Sequence, residues 1–431
     1  EKLKTATGKK TVFVAPAEKI QVTEIYFDSQ VDIHYVRLLP SHPDYIAPGV
    51  PANPGYLHLN PPKLYPEVDK PNWIFDVSTS KPSESWPTVL IRNNATSSKL
   101  AKRDLLVCFS SDIPFDGDRT IKAECASGEV TIGEQKVSFK KGTTAKILFS
   151  FTKVPSTVDK LANISLIWSA KKDASSNYIE ICKTQHTFYI IDEKPKKANL
   201  RRADINLFDV IDWSCVWARG TSGQKAVVDA IWKEFSPVKA AHSTGLEYWK
   251  NWDHPTVKVQ PYQTIDFAIK GKDDLDPLSR NSASCAVFDN IFINALTLHG
   301  ISSAEIMILP SKKSKAIFNH RGKRYKCIAF NGTSIKGQGN FNAPPTWQNH
   351  WIANIKDSNA KWILYDPSYG VAPYDSDDPY VNNPIDVQKY EKAGVKDFMC
   401  DNLDDGVRED LPAGITSTMP PHLQGDVLWK P

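Results

Sequence analysis

"NSASCAVFDNIFINALTLHG" (281–300) decides how the second half of this chain is read. Asn281, Ser282 or Ser284 can cap a helix that begins near Cys285. Phe288, Phe292, Ala295 and Leu296 then recur at helical spacing, and Gly300 stands where a left-handed C′ residue would end the run. The first-turn amides of a helix lack intrahelical partners and carry partial positive charge. A thiol in such a setting is favoured as the reactive thiolate. The competing reading is a buried packing cysteine, a common fate of free cysteine.

A nucleophilic thiol needs a base, and "NHWIANIKDSNAKWILYDPSYG" (349–370) offers one. His350 opens a strand pattern through Trp351, Ala353 and Ile355, and Asp366 ends the next pattern through Trp362, Leu364 and Tyr365. "KDSNAK" between them reads as a hairpin turn. Antiparallel pairing across it sets His350 and Asp366 as cross-strand neighbours. The imidazole can then face Cys285 while its other nitrogen bonds the carboxylate, giving nucleophile, base and orienter. Taken singly, His350 reads as a satisfied structural histidine and Asp366 before Pro367 as a turn residue. Each stands at the one element end where it can meet the others.

These three segments together resemble the transglutaminase-like superfamily. "SASCAVFDNIFINALTLHGISSAEI" is similar to its cysteine helix, "NHWIANI" to its His strand and "KWILYDPSYG" to its Trp-x-x-x-Asp-Pro strand end. The resemblance covers about residues 200–400. It implies a papain-like α+β fold with Cys285 as nucleophile, His350 as base and Asp366 as orienter. Ala283 and Ala286 stand where the family often has Gly and Trp, which changes the cleft wall. The family's upstream oxyanion helper has no fixed match, so Trp213, Trp217 and Gln224 are candidates, with Trp347 and Trp351 as further cleft residues. The backbone amide of Cys285 is another donor.

The first half has a different texture. Segments such as "KRDLLVCFSS", "TAKILFSF" and "NYIEICKTQHTFYIID" are short, rich in β-branched and aromatic residues, and separated by turn formers. The expected fold is therefore multidomain: an all-β, sandwich-like N-terminal region, then the α+β papain-like domain. Expected boundaries are 1–85 for a β-rich start with a long proline-rich connection, 86–195 for the sandwich-like domain, 200–400 for the transglutaminase-like domain and 401–431 for a tail packed on it or extending from it. "DEKPKKAN" (192–199), charged and without apolar anchors, reads as the linker. A second helix is expected in "TSGQKAVVDAIWKEFSPV" on the spacing of Val227, Ile231 and Phe235.

Composition narrows the function. Lys+Arg 53 against Asp+Glu 49 gives +4, without a basic stripe, which argues against nucleic-acid binding. No apolar run approaches membrane-spanning length. The seven cysteines lack CxxC spacing. Cys108, Cys125 and Cys182 read as buried small hydrophobes, with one disulfide among them as an option. Chain style leans to a secreted, periplasmic or cell-surface setting over a cytoplasmic one. No cofactor is expected. His320 and Cys327 are too far apart and too surrounded by Arg and Lys for zinc, and "DNLDDGVRED" (401–410) lacks full calcium-loop spacing, which leaves only weak calcium binding. The expected activity is thiol-dependent hydrolysis of a peptide or amide bond through a thioester, on a protein, peptide or peptidoglycan-like substrate. Protein crosslinking by the same site is one alternative. A carbohydrate- or protein-binding adhesion module on an inactive papain-like scaffold is the other.

Overall fold

The computed structural model describes residues 19–27, 33–35, 63–65, 73–76, 81–85, 87–92, 104–196, 208–236, 239–251, 265, 268, 281–309, 318–332, 337–340, 346–347, 350–356, 362–376, 395–412 and 426–429. The first half is built of strands: β1 (Ile20–Phe27), β2 (Ile33–Tyr35), β3 (Lys63–Tyr65), β4 (Trp73–Asp76), β5 (Lys81–Ser85), β6 (Thr88–Ile91), β7 (Asp104–Ser111), β8 (Gly117–Cys125), β9 (Thr131–Phe139), β10 (Ile147–Lys153), β11 (Asp159–Lys171) and β12 (Ile179–Ile191). All but β2 and β3 join one sheet in the order β5-β4-β1-β7-β10-β9-β8-β11-β12-β6. Period-two patterning explains it. Leu105, Val107 and Phe109 of β7 point inward while their neighbours are partly exposed.

The sheet curls until its two flanks face each other. The Val22 amide of β1 donates to Cys182 Sγ of β12 at 3.4 Å, and Phe27 meets Phe188 edge-on at 5.4 Å. Trp168 lies buried between them, its Nε1 donating to Thr184 Oγ1 at 2.9 Å and its ring edge-on to Phe109 and Phe149. Burying an indole with its N–H satisfied is the condition under which Trp strengthens a core. Cys108, Cys125, Cys182, Cys215 and Cys285 are all free, so the disulfide considered among the first three is not formed.

The second half adds helices α1 (Phe208–Trp217), α2 (Gln224–Phe235), α3 (Ala240–Thr244) and α4 (Cys285–Leu298). Its strands are β13 (Glu247–Tyr248), β14 (Ser282–Ala283), β15 (Ser303–Leu309), β16 (Phe318–His320), β17 (Lys323–Gly332), β18 (Thr346–Trp347), β19 (His350–Lys356), β20 (Trp362–Asp366), β21 (Val371–Ser376), β22 (Val395–Asn402), β23 (Arg408–Pro412) and β24 (Asp426–Trp429). One antiparallel sheet runs β21-β20-β19-β15-β24, so the C-terminal segment closes its edge. A second runs β16-β17-β22-β23, with β18 on β17. Helix α4 is buried nearly all round and lies against β19 and β15. The order of an all-β part followed by an α+β part matches the expectation from sequence.

The expected linker is a clasp instead. Asp192 is buried, pairs with the Arg92 guanidinium and accepts from the Gly223 amide at 2.8 Å. Its own amide donates to His299 Nδ1 at 3.1 Å, and the Lys196 amide donates to the Thr297 carbonyl at 3.0 Å. The chain therefore crosses the C-terminal end of α4 and donates to the Thr297 carbonyl, one of those near a helix end. Gly300 makes the crossing possible. Its φ is +80°, and a Cβ there would lie 2.9 Å from the Lys194 carbonyl oxygen. Val89, Val158, Tyr189 and Ile191 share one apolar cluster with Val210, Ile211, Phe292 and Leu296, so both halves contribute to a common core. The remaining residues of the expected linker, 197–199, lie outside the described residues.

Candidate active site

Cys285 occupies the first position of α4, as the sequence predicts. Ser284 is the N-cap, with extended backbone (φ −82°, ψ 175°), and its carbonyl accepts from Val287 N at 3.1 Å. Two residues earlier, β14 pairs with β13, which fixes Ala283 opposite Tyr248. The helix below is anchored by Phe288 and Phe292, both fully buried, so the thiol has a rigid base.

His350 opens β19, and Asp366 closes β20. The two strands are antiparallel, with Ala353 opposite Tyr365 and Lys356 opposite Trp362. Continuing that register makes His350 and Asp366 diagonal neighbours on one face rather than directly opposed. His350 Nε2 donates to Asp366 Oδ2 at 2.8 Å. Asp366 Oδ1 accepts from the amides of Ser368 (3.1 Å) and Tyr369 (3.3 Å), so both carboxylate oxygens are held. The turn residues 357–361 lie outside the described residues.

Cys285 lies near the same imidazole. Burial opposes the charged ring, but the charge and hydrogen bond of Asp366, with Cys285 nearby, raise His350 to about 10. The protonated ring is thus the favoured form at neutral pH. All three residues are deeply placed: Cys285 is 7% exposed, His350 0% and Asp366 1%. In that setting an ion pair is screened far less than at a surface.

Two tyrosines complete the surroundings, and neither was singled out from sequence. Tyr369 follows Asp366 in the turn, and its ring lies 5.3 Å from the His350 ring. Its hydroxyl is 3.3 Å from that of Tyr248. Burial, with Tyr369, Cys285 and Asp366 nearby, holds the Tyr248 phenol protonated well above its ordinary range. "DPSYG" carried the signal for Tyr369. Nothing local marks Tyr248, since a two-residue strand has no periodicity to detect.

Gln338 ties these pieces together. Its Nε2 donates to the carbonyls of Phe235 (2.8 Å) and Pro367 (2.7 Å), and its Oε1 accepts from Ala240 N at 3.0 Å. Its backbone joins Ser368 and Tyr248. Residues 337–340, ahead of His350, are therefore fixed in place; 333–336 and 341–345 lie outside the described residues. A Cβ on Gly337 would come 2.3 Å from Tyr248 Cδ1. Gly337→Ala is accordingly expected to destabilise the fold by about 1–3 kcal/mol, because a pinned, buried ring must move. Urea unfolding at matched m-value checks this.

The other sequence candidates lie elsewhere. The Gln224 amide donates to the Lys356 carbonyl, at the far end of β19 and on the order of 20 Å from His350. Trp213 and Trp217 stack on each other at 6.2 Å, on a helix that bonds to β12 through Asp212 and Cys215 and reaches His299 through Ser214. That is the C-terminal end of α4, about 20 Å from its first residue. Trp351 alternates with His350 along β19 and so takes the opposite face. Trp347 lies on β18, opposite Phe330.

Among the described residues no group of three or more His, Cys, Asp and Glu is set to hold a metal ion. In the acidic run, Arg324 Nε donates to Asp404 at 2.7 Å and Lys323 Nζ pairs with Asp405 at 3.1 Å. Those carboxylates meet basic side chains rather than standing open to calcium.

No protein-family model matches the chain, and no curated protein matches it. Among solved structures it is similar to red sea bream transglutaminase at 11% identity and a TM-score of 0.35, over 75% of this chain and 60% of that one. It is also similar to the periplasmic domain of TgpA from Pseudomonas aeruginosa bound to ethylmercury, at 12% identity and a TM-score of 0.19, over 64% of this chain and 74% of that one. The chain thus spans about 60% of the length of the sea bream enzyme. No helix among the described residues is long and apolar enough to cross a membrane.

Proposed function

We propose that the chain is a thiol-dependent amide or peptide hydrolase working through a thioester on Cys285. The observation that carries this reading is the buried Nε2–Oδ2 bond of 2.8 Å between His350 and Asp366, with Cys285 near the same ring. Asp366 fixes the imidazole so that its other nitrogen serves the thiol. The thiolate attacks the acyl carbon of the scissile bond. Helix-start amides, that of Cys285 among them, receive the developing oxyanion. As the C–N bond breaks, His350 gives its proton to the leaving amine. Water then loses a proton to His350, attacks the thioester, releases the acid and restores the Cys285 thiolate beside the protonated ring. Tyr248 and Tyr369 wall the site and exclude bulk water, which strengthens each electrostatic contact.

Hydrolysis is favoured over crosslinking because water needs no second pocket. Iodoacetamide at neutral pH tests the core of the proposal. The Cys285 peptide is expected to be alkylated faster than any other thiol, and His350→Gln to slow that step about 100-fold or more. Labelling no faster than at a denatured thiol would sink the reading and favour a binding module instead. Fluorescent amine incorporation into casein, outrunning casein cleavage, would identify a crosslinking acyltransferase.

A further inference from the structure

Two cysteines other than Cys285 are placed opposite each other in the second sheet. Strands β17 and β22 are antiparallel, with Tyr325 opposite Asn402, Lys326 opposite Asp401 and Cys327 opposite Cys400. Directly opposed residues of an antiparallel pair have Cα atoms about 4.5 or 5.5 Å apart, depending on the pair type. Both spacings fall inside the range of about 4.4–6.8 Å that a disulfide spans. Opposed residues also share a face of the sheet.

The register is held independently of the cysteines. At the adjoining end, the Arg324 amide donates to Asp404 Oδ2 at 2.7 Å and the Leu403 amide to the Arg324 carbonyl at 2.8 Å. Tyr325 Oη donates to Glu409 at 2.9 Å, and Asn402 Nδ2 to the same carboxylate at 3.0 Å. A one-residue slip, which would send the two cysteines to opposite faces, breaks all of these. Beyond Cys327 the register shifts at a bulge before Ala329 pairs with Met399. Such a bulge bends the strand and ends further slippage.

We propose that Cys327 and Cys400 form a cross-strand disulfide when the chain meets a small-molecule or protein disulfide donor. The two thiols lose two protons and two electrons, one S–S bond forms, and the donor disulfide is reduced to two thiols. The bond closes a loop of about seventy residues, long enough for a large entropic effect on the unfolded chain. That loop contains β18, β19 and β20, hence both His350 and Asp366. Strand β17 also pairs with β18, three residues before His350, so the crosslink braces the strand that leads into the imidazole. The pairing does not depend on the chain being an enzyme.

The test uses the full chain, reduced, freed of reductant and equilibrated with oxidised glutathione. It is then denatured, alkylated and digested for mass spectrometry. One peptide pair joining Cys327 to Cys400, separated by dithiothreitol, is expected. Recovery of the two cysteines on separate peptides, alkylated or glutathionylated, overturns the proposal. The linked form is also expected to melt higher than the reduced form, by on the order of 5–10 °C. Cys400→Ala should erase that difference. Equal midpoints for linked and reduced wild type would show that the folded sheet does not accommodate the bond and would overturn the proposal as well.

Discussion

Alanine in place of Cys285 is expected to lower turnover by about 10⁶-fold, the scale on which losing the nucleophile of a cooperating site is felt. The physical reason is that no neighbour can substitute. His350 is held by Asp366, Tyr248 is kept protonated, and Ala286, Val287 and Phe288, which follow Cys285 in the helix, are apolar. Stability should hardly change. Alanine is the best helix former, and the side chain removed is small. Release of p-nitrophenol from p-nitrophenyl acetate, with acetyl mapping on the Cys285 peptide, gives the chemistry. A circular-dichroism melt gives the control. Turnover within tenfold of wild type, in a folded variant, would place the nucleophile elsewhere.

Asp366→Asn is expected to cost about 10⁴-fold in turnover with a much smaller effect on folding. The amide oxygen can still accept from Ser368 N and Tyr369 N, so the turn survives. Its NH₂ group, however, faces His350 Nε2, which must then become an acceptor. The proton moves to the nitrogen that serves Cys285, and the imidazole is presented in the wrong tautomer. The raised His350 value has the Asp366 charge as its main upward cause, so it should fall in the variant. The sign for stability follows. In wild type the stabilisation from the charged ring is full below the ordinary histidine range and fades as pH rises through about 10. The variant should lose that pH dependence. Steady-state kinetics and urea titrations between pH 6 and 10, set beside wild type, test both statements. Asp366→Ala removes all three accepted bonds and should unfold more readily, by about 3–5 kcal/mol.

The strands of the first half were legible because alternation survives wherever one face is buried, as in β7. Helices α2 and α4 were legible because Val227, Ile231 and Phe235, and then Phe288 and Phe292, keep the helical period. Helix α1 was not. "FDVIDWSCVW" is rich in β-branched and aromatic residues of modest helix propensity, and only packing against β12 and α4 makes it helical. His350 and Asp366 could be read as partners because a hairpin converts sequence spacing into proximity. Tyr248, Gln338 and the Asp192 clasp could not, since their contacts cross 121, 103 and 107 positions respectively and leave no local trace. The misplacement of Gln224 has the same origin. Its position in sequence said nothing about which end of β19 it would reach.

Helix α4 works as a strut gripped at both tips by different parts of the chain. One tip presents Cys285; the other is clamped by Asp192 and Lys196 as they leave the first sheet. Severing the polypeptide near residue 196 would not yield two self-sufficient bodies, because the floor under the helices includes Val89, Val158 and Ile191. Strain applied to the edge formed by β6 and β12 is delivered along a rod about 20 Å long to the thiol at its tip.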